Sequence, residues 1–400
     1  MQTVTDSFHA AAGKASFIRK MFEKGIELKR EFGEDAVCDF SLGNPDVPPP
    51  EAAREVLHRL ADESVRPLGL GYCPNAGIPA CREAIAGHLS KQQGLPLGAS
   101  DVVITVGAAS ALVCFFRATV DPGDEVVVPS PYFVEYGNYC GHFGGVLKSV
   151  PTREDFSLDV AAIADAVTDR TRAIIINSPN NPTGQIYTRD ELEELVAFVE
   201  KTNAAREGRA RPLFLLSDEP YRAFAYGGAE VPAILPMSKF ALVLGSFSKT
   251  LSMAGERLGY IAVNPELTAL DAGALMTTLT LVNRTLGYVN APVIGQKLAA
   301  AICNETVDLE IYRRRHDLMA QVLTDAGIEF TMPKGAFYFF PKAPGGDDAK
   351  FVDALLEEKI LAVPGSGFGR AGHFRLSCAV DEKIIARSAA GFKRAVEKFK

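Results

Sequence analysis

Short apolar runs and stretches of helical period alternate along most of this 400-residue chain. The runs at 102–106, 125–128, 146–150, 173–176, 213–216, 241–244 and 260–263 are rich in Val, Ile, Leu and Ala and have the length of strands. Stretches at 51–62, 79–91, 109–118, 159–167 and 190–201 carry a helical pattern and separate several of them. A near-continuous apolar run reads as a strand covered on both faces. Strands alternating with helices predict an α/β architecture, a mostly parallel sheet with helices on both faces.

The pattern changes towards both ends. Residues 14–31 read as an amphipathic helix whose apolar stripe is Phe17, Ile18, Met21, Phe22 and Ile26. Late in the chain a long charged helix near 304–326 precedes strand regions at 337–340, 360–363 and 373–377 and a final helix at 381–398. We therefore expect a large domain over 46–295 and a smaller α+β domain built from 1–45 with 296–400.

Composition acts mainly by exclusion. Hydrophobic residues make up 47% and charged residues 23%, ordinary for a soluble globular protein. A net charge of −7 without a long basic run argues against nucleic acid or an anionic membrane surface as a partner. No apolar stretch has the roughly 18 residues of a membrane helix, and the N-terminus lacks a signal-peptide core, so a cytoplasmic protein is expected. Seven scattered cysteines without a C-x-x-C and six histidines without ligand spacing predict reduced thiols and no metal site.

Candidate chemistry gathers just after the apolar runs, where strands of an α/β sheet end and ligands bind. Ser246-Phe247-Ser248-Lys249 follows the run at 241–244, with Arg257 eight residues beyond the lysine. An amine beside two hydroxyls and a guanidinium suits a covalently held cofactor: the amine forms an imine and the other groups grip a phosphate. Ser217-Asp218-Glu219-Pro220-Tyr221 follows 213–216, and Asn177-Ser178-Pro179-Asn180-Asn181-Pro182-Thr183-Gly184 follows 173–176. Gly107-Ala108-Ala109 opens a helix with small residues that let backbone N–H groups approach an anion.

With Arg257 and Gly259 at these offsets, the lysine segment resembles the signature of the class I and II pyridoxal-phosphate aminotransferases, fold type I. Seven ordered segments extend the likeness over nearly the whole chain. The resemblance implies pyridoxal 5′-phosphate on Lys249, with Asp218 against the ring nitrogen and Tyr221 and Asn181 on the phenolic oxygen. It implies a phosphate cup of Ser246, Ser248, Arg257 and the amides of Ala108 and Ala109, and Phe133 stacked on the ring. Arg375, in Gly372-His373-Phe374-Arg375-Leu376-Ser377, would hold the substrate α-carboxylate, and Asn181 would also reach it; Gly43 would line the substrate. Tyr72 would reach the phosphate from a neighbouring subunit, which implies a homodimer. A cis bond at Asn181-Pro182 is implied as well.

The expected activity is exchange of the amino group of an L-amino acid, aspartate or another small or aromatic one, with a 2-oxo acid such as 2-oxoglutarate. Lys249, Asp218 and Tyr221 are the expected catalytic residues. Ala109 stands where some aspartate-using relatives carry Lys, which leaves aspartate open. A carbon–sulfur β-lyase would carry the same cofactor residues. A cofactor-sensing transcriptional regulator would need a DNA-binding module, and only about 45 residues precede the large domain.

Overall fold

The computed structural model describes residues 3–5, 17–271 and 273–400, which form two compact units. The smaller comprises Met1–Asn44, Glu310–Pro333 and Phe337–Lys400; the larger comprises Pro45–Leu309 and Lys334–Ala336.

Among the described residues, the first elements of the smaller unit are helix Phe17–Phe32 and strand β1 (Cys38–Asp39). The helix departs from the expected stripe at Ile26. Ile26 is 54% exposed, whereas Leu28 is buried against Val37 and Leu361. Gly25 permits the approach: a Cβ there would meet Asp39 Oδ2 at 3.2 Å and Leu361 Cδ2 at 3.3 Å. Lys29 then donates to Asp39 at 2.8 Å. Met21 belongs to the packed face; the side chains of Phe17, Ile18 and Phe22, and residues 14–16, lie outside the described residues.

The larger unit carries β2 (Val102–Thr105), β3 (Glu125–Ser130), β4 (Val146–Pro151), β5 (Thr171–Asn177), β6 (Phe214–Asp218), β7 (Ala241–Ser246) and β8 (Gly259–Val263). They form one sheet in the order β2-β8-β7-β6-β5-β3-β4. Only β8 runs against its neighbours β2 and β7; the other pairings are parallel. Every residue of β2, β5, β6, β7 and β8 is buried, as strands between two helical layers must be. Reversal twice across β8 leaves β2, β3, β5, β6 and β7 pointing the same way, so their carboxyl ends share one edge.

Helices Ala52–Ser64, Pro79–Gln93, Gly107–Thr119 and Arg189–Arg206 match the predicted ones to within a few residues. The boundary expected near 296 falls inside helix Val293–Ile302. Its Leu298, Ala299 and Ile302 are buried in the larger unit's core, so the chain leaves that unit only at Leu309.

Beyond helix Leu309–Asp325 come β9 (Tyr338–Phe339), β10 (Ile360–Leu361), β11 (Val363–Pro364) and β12 (Phe374–Ser377), then helix Glu382–Glu397. The single strand expected over 360–363 is thus two. β10 pairs in parallel with β1, and β11 pairs antiparallel with β12, which also pairs with β9.

Candidate active site

Five strands ending at one edge bring their following turns together. Ala108, Ala109, Phe133, Asn181, Asp218, Tyr221, Ser246, Ser248, Lys249 and Arg257 all line one cavity of about 190 Å³. Asn177, Leu112, Pro220 and Ala254 complete its wall.

One side of the cavity is built for an anion. Helix Gly107–Thr119 starts from Val106, which makes no side-chain capping bond, so the first-turn N–H groups keep their positive end uncapped by a side chain. Gly107 has φ 76°, and a Cβ on it would lie 2.6 Å from Arg257 Nη2. A Cβ on Gly259 would lie 2.4 Å from the carbonyl carbon of Gly107 and 2.6 Å from the nitrogen of Ala108. These two glycines let the start of β8 lie directly on the start of the helix, with Arg257 beside it. Arg257 itself has φ 50° and donates from Nη1 to the Ala254 carbonyl at 3.0 Å.

Asp218 ends β6 and is 5% exposed. Oδ2 accepts from the Tyr136 hydroxyl at 2.6 Å; Oδ1 is buried and has no hydrogen-bond partner among the described residues. Burial raises the carboxyl from its ordinary 3.8 to about 6; the Tyr136 hydrogen bond opposes this and the Glu219 carboxylate adds to it. Glu219 is compensated, accepting from Arg222 at 2.9 Å, Gln93 at 3.1 Å and Ser217 at 2.8 Å.

Asn177 ties two turns together. Its Nδ2 donates to the Asp218 carbonyl at 2.7 Å, and its Oδ1 accepts from the Asn181 N–H at 2.7 Å. Asn180 accepts from the N–H and hydroxyl of Thr183 at 3.0 and 2.9 Å, stiffening the turn that presents Asn181. The Asn181-Pro182 bond is cis, and so are Ser178-Pro179 and Ser130-Pro131. Phe133 is set edge-on to Tyr136, with ring centroids 5.5 Å apart at 81°.

Tyr72 is not in this cavity. It is 93% exposed and lines a separate hollow of about 450 Å³ with Glu256 and Asn290. Gly43 and Arg375 belong to the smaller unit. There Arg375 is buried, its guanidinium 4.9 Å from the Tyr338 ring centroid and 4.8 Å from that of Phe368, and it donates to the Ser41 carbonyl. A Cβ on Gly43 would stand 1.9 Å from the Tyr338 hydroxyl, which packs against the glycine's bare backbone. Nothing in the sequence pattern singles out Tyr136, and Asn177 reads there only as part of a turn.

A family model described as "Aminotransferase class I and II" matches residues 35–391. The chain belongs to the class I and II aminotransferases. It is 34% identical to a probable aspartate/prephenate aminotransferase of Aquifex aeolicus, with 94% of each chain covered. It is 32% identical to an aromatic-amino-acid aminotransferase of Thermococcus litoralis, over 91% of each chain. Among solved structures, an aminotransferase from Eubacterium rectale superposes with a TM-score of 0.94 at 35% identity, covering 100% of both chains. Aspartate aminotransferase from Thermus thermophilus with maleate gives 0.85 at 30% identity, covering 99% of this chain and 100% of that one. This aminotransferase is thus an enzyme of amino-group transfer with the fold type I architecture expected from its sequence.

Proposed function

We propose that this aminotransferase exchanges the amino group of an L-amino acid of the aspartate or aromatic kind with a 2-oxo acid, using pyridoxal 5′-phosphate held at Lys249. The observation that carries this is the common wall of one cavity: Lys249, the buried unpartnered Oδ1 of Asp218, and Arg257 with Ser246 and Ser248. The residues fit the cofactor. A buried carboxylate oxygen without a partner is costly, and a protonated ring nitrogen supplies its missing partner. The cradle at Gly107, Gly259 and Arg257 suits a phosphate.

When bound, pyridoxal phosphate supplies an electron sink for the charge that develops at the substrate Cα. Asp218, ionised above about pH 6, keeps positive charge favourable at the ring nitrogen. Ser246, Ser248, Arg257 and the N–H groups of Ala108 and Ala109 bind the phosphate, and Phe133 packs on the ring. Tyr221 and Asn181 orient the phenolic side. The Lys249 amine holds the cofactor and then moves the proton at the substrate Cα. On the smaller unit, Arg375 offers a two-pronged grip for the α-carboxylate, and Gly43 leaves room at the Tyr338 hydroxyl.

Several lines support the rest. Relatives named for aspartate, prephenate and aromatic amino acids support the donor class, while Ala109, where some aspartate-using relatives carry Lys, leaves aspartate itself open. The exposure of Tyr72 supports a homodimer in which it serves a second copy. Among the described residues no helix is long and apolar enough to cross a membrane; a cytoplasmic location fits this.

The test begins with the cofactor-loaded protein, reduced with borohydride and digested. A pyridoxyl adduct on the Lys249 peptide is expected; its absence overturns the reading. Mixing the loaded protein with single amino acids should give the pyridoxamine spectrum fastest with aspartate or an aromatic amino acid. Release of pyruvate and ammonia without an oxo acid would show a lyase instead.

A further inference from the structure

Asp218 is held by a side chain to which the proposed function gives no role. Tyr136 lies on helix Glu135–Gly141, is fully buried, and gives its hydroxyl to Oδ2 of Asp218. The other titratable and charged groups around the carboxyl come from several elements. Tyr139 shares the helix with Tyr136, Glu219 and Tyr221 follow Asp218 in the chain, and Tyr260 approaches from β8. Tyr187 acts electrostatically on Tyr136, and Lys249 and Arg257 line the same cavity as Asp218. Burial and Glu219 both favour the neutral carboxyl; the Tyr136 hydrogen bond favours the anion.

We propose that Tyr136 is a positioning residue for amino transfer, occupying Oδ2 of Asp218 so that Oδ1 remains for the cofactor's ring nitrogen and holding the carboxyl group in its ionised form. The proposal rests on the reading of the cavity as a pyridoxal-phosphate site. Phe133 and Tyr136 sit three residues apart and pack edge to face, so the ring proposed to cover the cofactor also braces the phenol that aims its acid.

The test reads Asp218 directly, in protein freed of cofactor, by carbon-detected NMR of ¹³C-labelled carboxyl groups against pH. In Tyr136→Phe the Asp218 titration should move up by about one unit or more, a tenfold rise in proton affinity. Replacing Tyr136 with 3-fluorotyrosine, a stronger donor of nearly the same shape, should move it down. The fluorotyrosine protein serves if Tyr136→Phe fails to fold, because a phenol that acts only by filling space leaves the titration where it was. An Asp218 titration unchanged in both proteins overturns the proposal while a borohydride adduct on Lys249 still stands. Absence of that adduct overturns the functional reading and this proposal with it.

Discussion

Arg257 stands where Gly107 would carry a side chain: a Cβ on Gly107 would come within 2.6 Å of the guanidinium. The obstacle is the tip of a flexible side chain, so Gly107→Ala should displace the arginine more than it unfolds the protein. Its φ of 76° adds strain of about 1–2 kcal/mol. Affinity for pyridoxal phosphate should fall about tenfold or more, since one charge-assisted contact is lost. Gly259→Ala meets backbone instead, 2.4 Å from Gly107, and should cost about 2–3 kcal/mol of stability. Urea unfolding and cofactor titration of both variants separate the two effects.

Asp218 gives the apoprotein a defined pH dependence. Its folded value of about 6 lies above the ordinary 3.8, so the folded state favours the proton. The stability this contributes is complete below pH 3.8 and is lost as pH rises through 6, a change of about 3 kcal/mol. Asp218→Asn does not titrate, so between pH 4 and 7 its apoprotein should gain on the wild type by about that amount. Cofactor should reverse the order at neutral pH, because the amide cannot neutralise a cation. Urea midpoints across pH, with and without pyridoxal phosphate, check both halves.

Arg375 has its guanidinium between two aromatic rings, a setting for a flat group. Arg375→Lys keeps the charge and loses both the stacking and the two-pronged grip on a carboxylate proposed above. A loss of about 100-fold in kcat/KM for amino acids is expected, equivalent to about 2–3 kcal/mol. Simple amines without a carboxylate should react equally with both proteins in the half-reaction. A similar loss with those amines would place the effect elsewhere.

Glu219 is nearly inaccessible and pairs with Arg222 at 2.9 Å. Arg222→Ala strands a buried carboxylate and should cost about 3–5 kcal/mol. Adding Glu219→Gln should recover a large part of it, because the amide carries no charge to strand. Chemical denaturation of the single and double variants measures the recovery.

The cavity residues were legible because each follows an apolar run. Lys249, Asp218 and Asn181 needed only the inference that their strands point the same way. Tyr136 was hidden in Glu135–Gly141, a one-to-two-turn helix with a glycine inside and another at its end, too short for a periodic pattern. Its offset of three from Phe133 was the available signal. Asn177 was visible as a residue, but its two bonds join main chain from different turns, and composition does not fix such a link. Helix Ala274–Thr285 escaped because its Thr and Leu content resembles strand as much as helix. The break at Ala362 escaped because Ile360 to Val363 is apolar throughout, while its two halves pair with different partners.

β8 lies between β7 and β2, with Gly259 opposite Thr105. The amides at Ala108 and the guanidinium of Arg257 thus meet across a separation of about 150 positions in the chain. A ribosome making this protein releases the first half of the anion cradle long before the second. An anion therefore meets no finished seat on the nascent polypeptide until the reversed strand has zipped into its slot between β7 and β2.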